Sequence, residues 1–475
     1  MTDQVLIAIT FVLFLLFFIC VGIYSATQKQ STTSDYLLAS RSVNPWFTAL
    51  SAMATGQSGL LFIGQVGFAY TSGISSLWLT LGWALGDYMA WLFCFQKLRE
   101  LSEETNTETV PAFLGQNTGN RWITVVSGLI TLGFLGSYAA AQLIAGSKAL
   151  NTVFGWNYQL GIVMGAIVVV IYCFSGGIRA SIWTDAVQAT IMIGSLILLF
   201  IVAIIAGGGI GTLWTNLGEI DPNLVRLSPS NLQWGFIPFL FGWIVAGFGV
   251  VGQPHIMVRA MALDSPRNMG KTRNIKIACG LTTSFCSIGI GLAARVLLPN
   301  LLTQSDPELA LPFLALELLP AVLVGLMLAG LFSATISTAD SQILSCSAAL
   351  TQDLFPRTAK SYRWAKIGTL TVTAIVVAIA LSANDSVFAL VTFSWSALAS
   401  GLGPLFLVRI LKRPITTPIA IAMMIVGILA ALIWNVGLQF SGAVYEVLPG
   451  MLAGILVYII SQILTSRNSE TQENL

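Results

Sequence analysis

The chain has 475 residues, of which 56% are hydrophobic and only 9% are charged. Soluble globular domains carry about 25% charged residues, so this composition excludes a soluble protein and indicates one that crosses a membrane several times. The formal net charge of +2 gives no support for nucleic-acid binding. The six cysteines lie in apolar segments without CxxC spacing, and with a single histidine they form no metal-binding pattern.

Thirteen apolar segments are long enough to cross a bilayer, which takes about 20 residues in a helix. They predict an all-α polytopic membrane protein, with spans at 4–25, 46–71, 75–98, 121–150, 157–174, 183–207, 233–258, 275–297, 320–353, 362–382, 386–411, 416–436 and 444–465. The first span lacks the basic region and the cleavage pattern of a signal peptide, so we expect it to be retained.

The basic residues predict the orientation of these spans. With the N-terminus outside, every Lys and Arg except Lys148, Arg226 and Arg295 falls in an inside loop or at an inside helix end, following the positive-inside rule. We therefore expect a multi-pass protein of the plasma (inner) membrane with a cytoplasmic C-terminus. The outside loop 298–319 contains ELALPFLALELL, which predicts a short amphipathic helix over the outer face, a candidate gate.

The second and seventh spans contain residues that disfavour a continuous helix. One break runs from Thr55 to Gly59 and the other from Gly247 to Pro254. Glycine lowers helix stability by about 1 kcal/mol, and proline removes a backbone hydrogen bond. Backbone groups freed at membrane depth must bond internally or bind a ligand. A kinked packing helix is the alternative interpretation of either break alone.

Breaks five spans apart are typical of transporters built from two five-helix repeats of inverted topology, in which the breaks mark the binding site. We therefore predict a single transporter domain over residues 1–475. It consists of an extra N-terminal helix at 4–25, a first repeat at 46–207, a second repeat at 233–411 and two C-terminal helices within 416–465.

The ninth span carries a polar stripe that a helix facing lipid does not need. At about 100° per residue, an arc of roughly 160° holds one of its two acids and most of its hydroxyls, namely Ser333, Ser337, Thr338, Asp340, Ser341 and Ser345. Hard cations take oxygen ligands, so we interpret this helix as part of a sodium site.

Charged residues inside spans cost about 2.5–3.5 kcal/mol each and are therefore candidates for function. We interpret Asp185 in the sixth span and Asp340 in the ninth as cation ligands, with a helix cap or a structural hydrogen bond as the alternative. A structural role is favoured for Asp87 in the third span. Around the seventh break, we expect Arg259 to be a solvated helix cap. We expect His255 to make a structural hydrogen bond, with a proton-carrying role as the alternative.

No pattern in the sequence indicates an enzyme. The chain has no Walker motif, so ATP does not drive it. The glycine-rich stretches at 176–179 and 207–211 follow no strand and are therefore not nucleotide-binding loops. No serine, histidine and acid can be assembled in a plausible pocket.

The chain resembles the sodium/solute symporter family, and within it most closely the sodium/proline symporters. The similarity spans about residues 37–411 and is carried by LLASRSVNPWFTALSAMATGQSGLLFIGQVGFAY, SGGIRASIWTDAVQATIMIGS, GVVGQPHIMVRAMALDS, AGLFSATISTADSQILSCSAALTQDLF and FALVTFSWSALASGLGP. The pairing of GQPHIMVRAMA with STADSQ is highly specific for the family. The resemblance implies the leucine-transporter type of fold, a 5+5 inverted repeat that moves a solute inward with sodium by alternating access.

The resemblance also implies the sodium ligands. The first set comprises the backbone carbonyls of Ala54, Gln57 and Ala334 and the hydroxyls of Ser337 and Thr338. The spacing of Ala334 and Ser337, three residues apart on one helix face, is consistent with a shared ion. A second sodium position found in some members falls on Asp185, Asp340 and Ser341, together with Ser337. Asp340 stands where some relatives have serine.

The resemblance implies solute-binding residues around the two breaks and on the fourth span. They are Gln57, Ser58, Gly59, Leu60, Tyr138, Trp243, Ala246 and Val250. The amides at the start of a half-helix suit a carboxylate. The chain departs from the proline branch at Gly56 and Leu60, which replace an acid and a tryptophan. Trp243 lies three residues further from GQPH than the family tryptophan, so we expect a roomier or more aliphatic pocket.

The prediction is a sodium-coupled symporter that imports a small organic solute, with proline or a related amino acid as the first expectation. Its partners are then the solute, the sodium ion and the lipid bilayer. Two alternatives remain within transport: a symporter for another small carboxylate, and a proton-coupled carrier using Asp185 or Asp340. From another class, a membrane sensor without transport activity stays open, although only Ser466–Leu475 follow the last span.

Overall fold

The computed structural model describes residues 2–27, 30, 32–116, 120–229, 232–304, 306–357, 361–382 and 386–473. Within these ranges the chain forms twenty-one α-helices and no strand. The helices are α1 (Asp3–Ala26), α2 (Thr33–Leu38), α3 (Pro45–Gly59), α4 (Gln65–Ser72), α5 (Leu77–Phe93), α6 (Phe95–Glu104), α7 (Val110–Gly115), α8 (Trp122–Ile130), α9 (Gly136–Phe154), α10 (Tyr158–Ala206), α11 (Ile210–Ile220), α12 (Phe236–Phe248), α13 (Pro254–Ala262), α14 (Met269–Leu297), α15 (Leu301–Gln304), α16 (Ala310–Leu318), α17 (Ala321–Ala348), α18 (Tyr362–Ser382), α19 (Val387–Ile410), α20 (Thr417–Leu432) and α21 (Val447–Glu473).

Ten helical stretches of the described chain are long and apolar enough to cross a membrane, or eleven when the bent pair α12–α13 is counted as one span. The predicted second and third spans fall in one stretch, Pro45–Glu104, and the predicted fifth span is the shorter apolar helix Tyr158–Ile171. The prediction of an all-α polytopic membrane protein is confirmed. The number thirteen stays a prediction, as do the bounds of the two repeats.

The predicted break in the second span is present. α3 is irregular at Ser58, whose backbone angles, φ 54° and ψ −173°, are rarely adopted by residues that have a Cβ. A wider helical turn, Leu60–Gly64, then leads into α4. A Cβ at Gly59 would come within 2.9 Å of the side chains of Ala145 and Thr335, so the glycine lets the broken segment approach α9 and α17.

The predicted break in the seventh span is present as well. α12 gives way to a 3₁₀ turn at Gly249–Gly252, and Gln253 is extended. Pro254 then starts α13, where its fixed φ and missing N–H are tolerated. The two half-helices are bent by 61° relative to each other. Both breaks therefore expose backbone groups inside the helical bundle.

The predicted fifth and sixth spans are the two arms of α10, a 49-residue helix that turns at Gly177 (φ 59°, ψ −144°). The Tyr36 ring and carbonyl lie where a Cβ of Gly177 would be, so the turn is packed against α2. Beside it, Arg179 pairs with Asp35 at 2.5 Å. Burial by itself raises the pKa of Asp35, but the hydrogen bonds from Arg179 and its other donors hold that pKa below its usual value.

The predicted amphipathic helix in loop 298–319 is present, with one side buried against the bundle and with Leu316 and Glu317 exposed. It consists of a 3₁₀ turn at Pro307–Leu309 followed by α16, in which Leu311, Leu314 and Ala315 are buried. α16 packs against α4, α9, α14 and α17. This segment therefore closes one end of the bundle between both predicted repeats.

Candidate functional site

Four of the five residues predicted for the first sodium position meet where the broken helix α3 crosses α17. The Thr338 hydroxyl lies 3.4 Å from the Ala54 carbonyl, 3.3 Å from the Thr55 carbonyl and 3.0 Å from the Ala334 carbonyl. The Ser337 hydroxyl donates to the same Ala334 carbonyl at 3.2 Å. All of these residues are fully buried. The arrangement concentrates neutral oxygen atoms, which suits a hard monovalent cation.

Gln57, the fifth predicted ligand, is engaged on the other side of α3. Its carbonyl accepts a hydrogen bond from the Leu60 amide across the break. Its side-chain amide donates to the Gly280 carbonyl at 3.2 Å and accepts from the Ser284 hydroxyl at 3.4 Å. Gln57 therefore ties the broken segment to α14.

A cluster of two carboxylates and one guanidinium lies beside the first sodium position. Asp185 of α10, Asp340 of α17 and Arg259 of α13 are each 0% exposed. Arg259 Nη2 lies 3.4 Å from Asp185 Oδ2 and 2.8 Å from the Ser181 hydroxyl, and it also bonds the Ser341 hydroxyl. Arg259 Nε also lies 3.3 Å from the Ser51 hydroxyl of α3, so the guanidinium joins four helices at one buried point.

Hydroxyl groups satisfy one oxygen of each acid. Asp185 Oδ2 accepts from Ser51 at 2.7 Å and lies 3.4 Å from the Thr55 hydroxyl. Asp340 Oδ1 accepts from Ser181 and from Ser341, each at 3.0 Å. The remaining oxygens, Asp185 Oδ1 and Asp340 Oδ2, are buried and have no hydrogen-bond partner among the described residues.

The charge of this cluster does not balance when both acids are ionised. Two carboxylates face one guanidinium, which leaves one negative charge in a medium where an uncompensated charge is costly. A monovalent cation or a proton at the free oxygens of Asp185 and Asp340 would balance it. The arrangement is therefore suited to binding one additional positive charge.

The expectation of a solvated cap for Arg259 is wrong, because α13 is buried along its whole length. The sequence did contain an indication of this burial. The run PHIMVRAMA around Arg259 is largely apolar and offers no polar helix face through which an arginine could reach water. Ser51 and Ser181 were also missed. Each stands four residues before a polar residue of the same cluster, Thr55 and Asp185 respectively, and that spacing places both members on one helix face.

The eight residues predicted for the solute do not share one surface. Gln57, Leu60 and Val250 line one partly open cavity. Ser58 and Gly59 turn towards α9, where the Gly59 amide donates to Gln142 Oε1 at 2.8 Å.

The other three predicted solute residues are packed. Tyr138 shares a hydrogen bond with Ser58 and is 1% exposed. The Trp243 ring stacks on Tyr445 with centroids 4.7 Å apart, and the Ala246 carbonyl accepts from the Trp395 indole at 2.9 Å. The α9 side of the first break is thus closed, and the space lies on its α14 side.

Two further residues that were considered for function are buried near this space. Asp87 lies in the cavity wall, where it forms an ion pair with Lys276 of α14. His255 packs its ring edge-on to Tyr138 with centroids 5.7 Å apart. Neither ring nitrogen of His255 has a partner among the described residues, so the structural hydrogen bond expected for it is not found there.

Comparison with known proteins gives consistent results over nearly the whole chain. The model of the "Sodium:solute symporter family" matches residues 36–427. The high-affinity proline transporter PutP of Bacillus subtilis (strain 168) is 32% identical over 459 residues, which cover 94% of this chain and 96% of that protein. The osmoregulated proline transporter OpuE of the same organism is 30% identical, with 95% and 93% covered.

Solved structures agree on the fold. The substrate-bound, outward-open state of a Na⁺-coupled sialic acid symporter matches with a TM-score of 0.80 at 20% identity, covering 96% of this chain and 98% of that one. MhsT in complex with L-phenylalanine matches with a TM-score of 0.57 at 14% identity, covering 89% and 98%. The predicted leucine-transporter type of fold is thereby confirmed.

Proposed function

This chain belongs to the sodium:solute symporter family, and from that premise we propose that it imports proline or a closely related amino acid by alternating access. It is a sodium-coupled solute symporter embedded in a membrane through multiple helices. The relatives PutP and OpuE are proline transporters by name, which supports an amino acid of that size as the solute. Sodium is the co-transported substrate.

The observation that carries the proposal is the meeting of Thr338 with the carbonyls of Ala54 and Thr55 across the first break. Sodium at this point is coordinated by Ala54, Gln57, Ala334, Ser337 and Thr338. It replaces weak hydrogen bonds with ion–oxygen contacts that join α3 to α17. When sodium leaves towards the cytoplasm these contacts are lost, and the two helices are free to separate.

A second cation position is proposed at Asp185, Asp340, Ser341 and Ser337. Its support is the unbalanced negative charge and the two free carboxylate oxygens. A sodium ion there adds a second coupled charge. At about 2.3 kcal/mol per charge for each 100 mV, each additional ion increases the membrane-potential contribution to solute accumulation. A proton at the same oxygens is the competing possibility.

The proposed orientation places the N-terminus outside and the C-terminus in the cytoplasm of a cell bounded by this plasma (inner) membrane. The distribution of basic residues supports it, since only Lys148, Arg226 and Arg295 fall outside. The predicted repeats at 46–207 and 233–411 then run in opposite directions through the bilayer, with the two breaks at corresponding positions.

Uptake into proteoliposomes tests this function. The purified protein is reconstituted, and labelled L-proline, other amino acids and small carboxylates are supplied with an inward gradient of sodium or of choline. We expect saturable uptake of L-proline or a related amino acid that requires sodium and increases with an inside-negative potential.

The controls separate the alternatives. Uptake driven by a pH gradient in choline would favour proton coupling at the Asp185–Asp340 cluster. Sodium-dependent uptake of a carboxylate but of no amino acid would contradict the proposed solute and leave the coupling intact. If no solute showed sodium-dependent uptake under any of these conditions, the proposed function would be wrong.

A further inference from the structure

The cavity on the α14 side of the first break contains a feature that the predicted solute site does not include. Its walls come from α3, α5, α14 and the second break. Met53, Gly56 and Gln57 contribute one face of α3, at the spacing of successive helical turns, and Leu60 follows in the wider turn after the break. The opposite face of α3 carries Ser51 and Thr55 towards the acidic cluster. One broken helix therefore separates the cation cluster from the cavity.

An ion pair stands in the wall of this cavity. Lys276 of α14 bonds Asp87 of α5, and their side chains are 9% and 8% exposed. The Lys276 ammonium also faces the Trp91 ring at 5.7 Å. The second carboxylate oxygen, Asp87 Oδ1, is buried and has no partner among the described residues. Both charged groups thus keep bonding capacity that the described protein contacts do not use.

Packing alone does not explain this pair. Replacing a buried ion pair by apolar side chains of similar volume is often neutral or stabilising, because desolvation offsets the attraction between the charges. Much of the surrounding wall is apolar, including Leu60, Trp83 and Ile256. A charged pair in such a wall is expected where a ligand uses it, since intramembrane ionisable residues facing a cavity mark solute pathways.

We propose that Asp87 and Lys276 bind the charged groups of a zwitterionic amino acid in this cavity. The solute carboxylate accepts hydrogen bonds from the Lys276 ammonium, and the solute ammonium donates to Asp87 Oδ1. The complex stays electrically neutral, and every charge has an opposite partner. An acid without an amine would add a net negative charge at low dielectric and leave Asp87 Oδ1 unpaired, so the pair selects against it.

The rest of the cavity fits the uncharged part of such a solute. Trp83 and Trp395 line it with ring centroids 4.7 Å apart and provide an aromatic surface for an aliphatic side chain. Gln57 and Ser284 add neutral hydrogen-bonding groups. This inference rests on the proposed function, because it names the solute contacts of the same transport cycle.

Competition in the sodium-dependent uptake assay tests the proposal. The competitors are L-proline, its counterpart without the amine, cyclopentanecarboxylate, and its counterpart without the carboxylate, pyrrolidine. For a different transported amino acid, the matching pair of analogues is used. In the wild-type protein we expect the zwitterion to compete at least about tenfold better than either analogue, since an unpaired buried charge costs more than 1.4 kcal/mol.

Substitutions of Asp87 and Lys276 should each change the competition by the zwitterion relative to one of the two analogues. Asp87→Asn should weaken the zwitterion about tenfold or more and leave cyclopentanecarboxylate equal or better, so that the preference for an amine is lost. Lys276→Gln should weaken both carboxylate-bearing competitors and leave pyrrolidine unaffected. Asp35→Asn is the matched control, because it breaks a buried ion pair with Arg179 outside the cavity and should keep the wild-type ratio.

The double variant Asp87→Asn/Lys276→Gln covers the case in which a single change prevents folding, since it leaves no uncompensated charge. Its ligand preference is read from sodium-dependent thermal stabilisation by the same three compounds, and we expect the preference for the zwitterion to vanish. Wild-type ratios in the single variants, or in the double variant where the singles do not fold, would overturn the inference. A wild-type protein that transports no amino acid with sodium would instead refute the proposed function on which it rests.

Discussion

At the scale of single residues, Thr338 connects the two halves of the proposed sodium position. One hydroxyl on α17 lies within 3.4 Å of two carbonyls of the broken α3 and 3.0 Å from a carbonyl of its own helix. A helix without the break would use those α3 carbonyls for its own hydrogen bonds. The irregular Ser58 therefore gives Thr338 its role, although the two residues are far apart in the sequence.

Removal of a hydroxyl from this position should weaken sodium coupling. We expect Thr338→Ala or Ser337→Ala to raise the sodium concentration for half-maximal uptake by about tenfold or more, since each change removes one of five proposed ligands. Thr338→Ser keeps the hydroxyl and serves as the matched control. The measurement is initial uptake against sodium concentration in proteoliposomes. A normal sodium activation curve in the alanine variants would show that the ligands are elsewhere.

The contacts of Arg259 and Asp340 could not be predicted from the sequence. The role of Asp340 was open between an ion ligand and a structural acid, and its two oxygens lie in different surroundings. One oxygen accepts from Ser181 and Ser341, and the other is free. Arg259 belongs to the same cluster, but apart from a carbonyl of its own helix its partners lie on α3, α10 and α17, so no local pattern around α13 identifies them.

At the scale of elements, the two breaks could be predicted because their cause is local. Glycine and proline lower helix stability wherever they stand, and both interruptions follow runs of such residues. The position of α16 could not be predicted in the same way. Its amphipathic pattern is compatible with a membrane surface and with a groove between helices, and only the facing surfaces of α4, α9, α14 and α17 decide between them.

Glu308 is expected to hold the α16 segment in its closed position. Its carboxylate accepts from Lys148 of α9 at 2.8 Å and from Ser386, just before α19, at 2.6 Å. Glu308→Gln keeps hydrogen-bonding capacity but loses the ion pair, which is worth about 1 kcal/mol for a partly exposed site. We therefore expect the equilibrium ratio of closed to open segment to fall by roughly fivefold.

Chemical labelling measures this change. A cysteine introduced at Leu311, which is 1% exposed, should react with a membrane-impermeant thiol reagent several-fold faster in the Glu308→Gln background. The corresponding substitution Glu219→Gln on α11 provides the control, because that acid lies outside the α16 segment. Equal labelling rates in both backgrounds would mean that Glu308 does not hold the segment.

At the scale of the whole molecule, α3 lies between the proposed ion sites and the cavity. Ala54 faces α17, and Gln57, three residues further on, faces α14. At 1.5 Å per residue the two lie about 4.5 Å apart along the helix axis. An ion that orders the break therefore also orders one wall of the cavity, which gives a direct physical route for coupling.

Sodium and solute should increase each other's affinity by the same factor. Linkage requires this equality, and coupling of this kind is typically about 5- to 150-fold. Calorimetric titration of the solute with and without sodium, and of sodium with and without the solute, measures both factors in the detergent-solubilised protein. Potassium replaces sodium in the control titrations. Independent affinities would contradict the proposed coupling through α3.

Sequence by itself determined the membrane class, the family, the two breaks and the polar face of α17, because hydropathy, helix-breaking residues and 3.6-residue periodicity act locally along the chain. Tertiary structure decided which polar groups meet. It buried Arg259 beside Asp185, joined the predicted fifth and sixth spans through the turn at Gly177, and opened the cavity on the α14 side of the first break. It also paired Asp87 with Lys276, which are 189 residues apart in the sequence. The physical reason is that a charge can be buried in a bilayer only beside an opposite charge, and the packing of distant helices decides which opposite charge lies close enough.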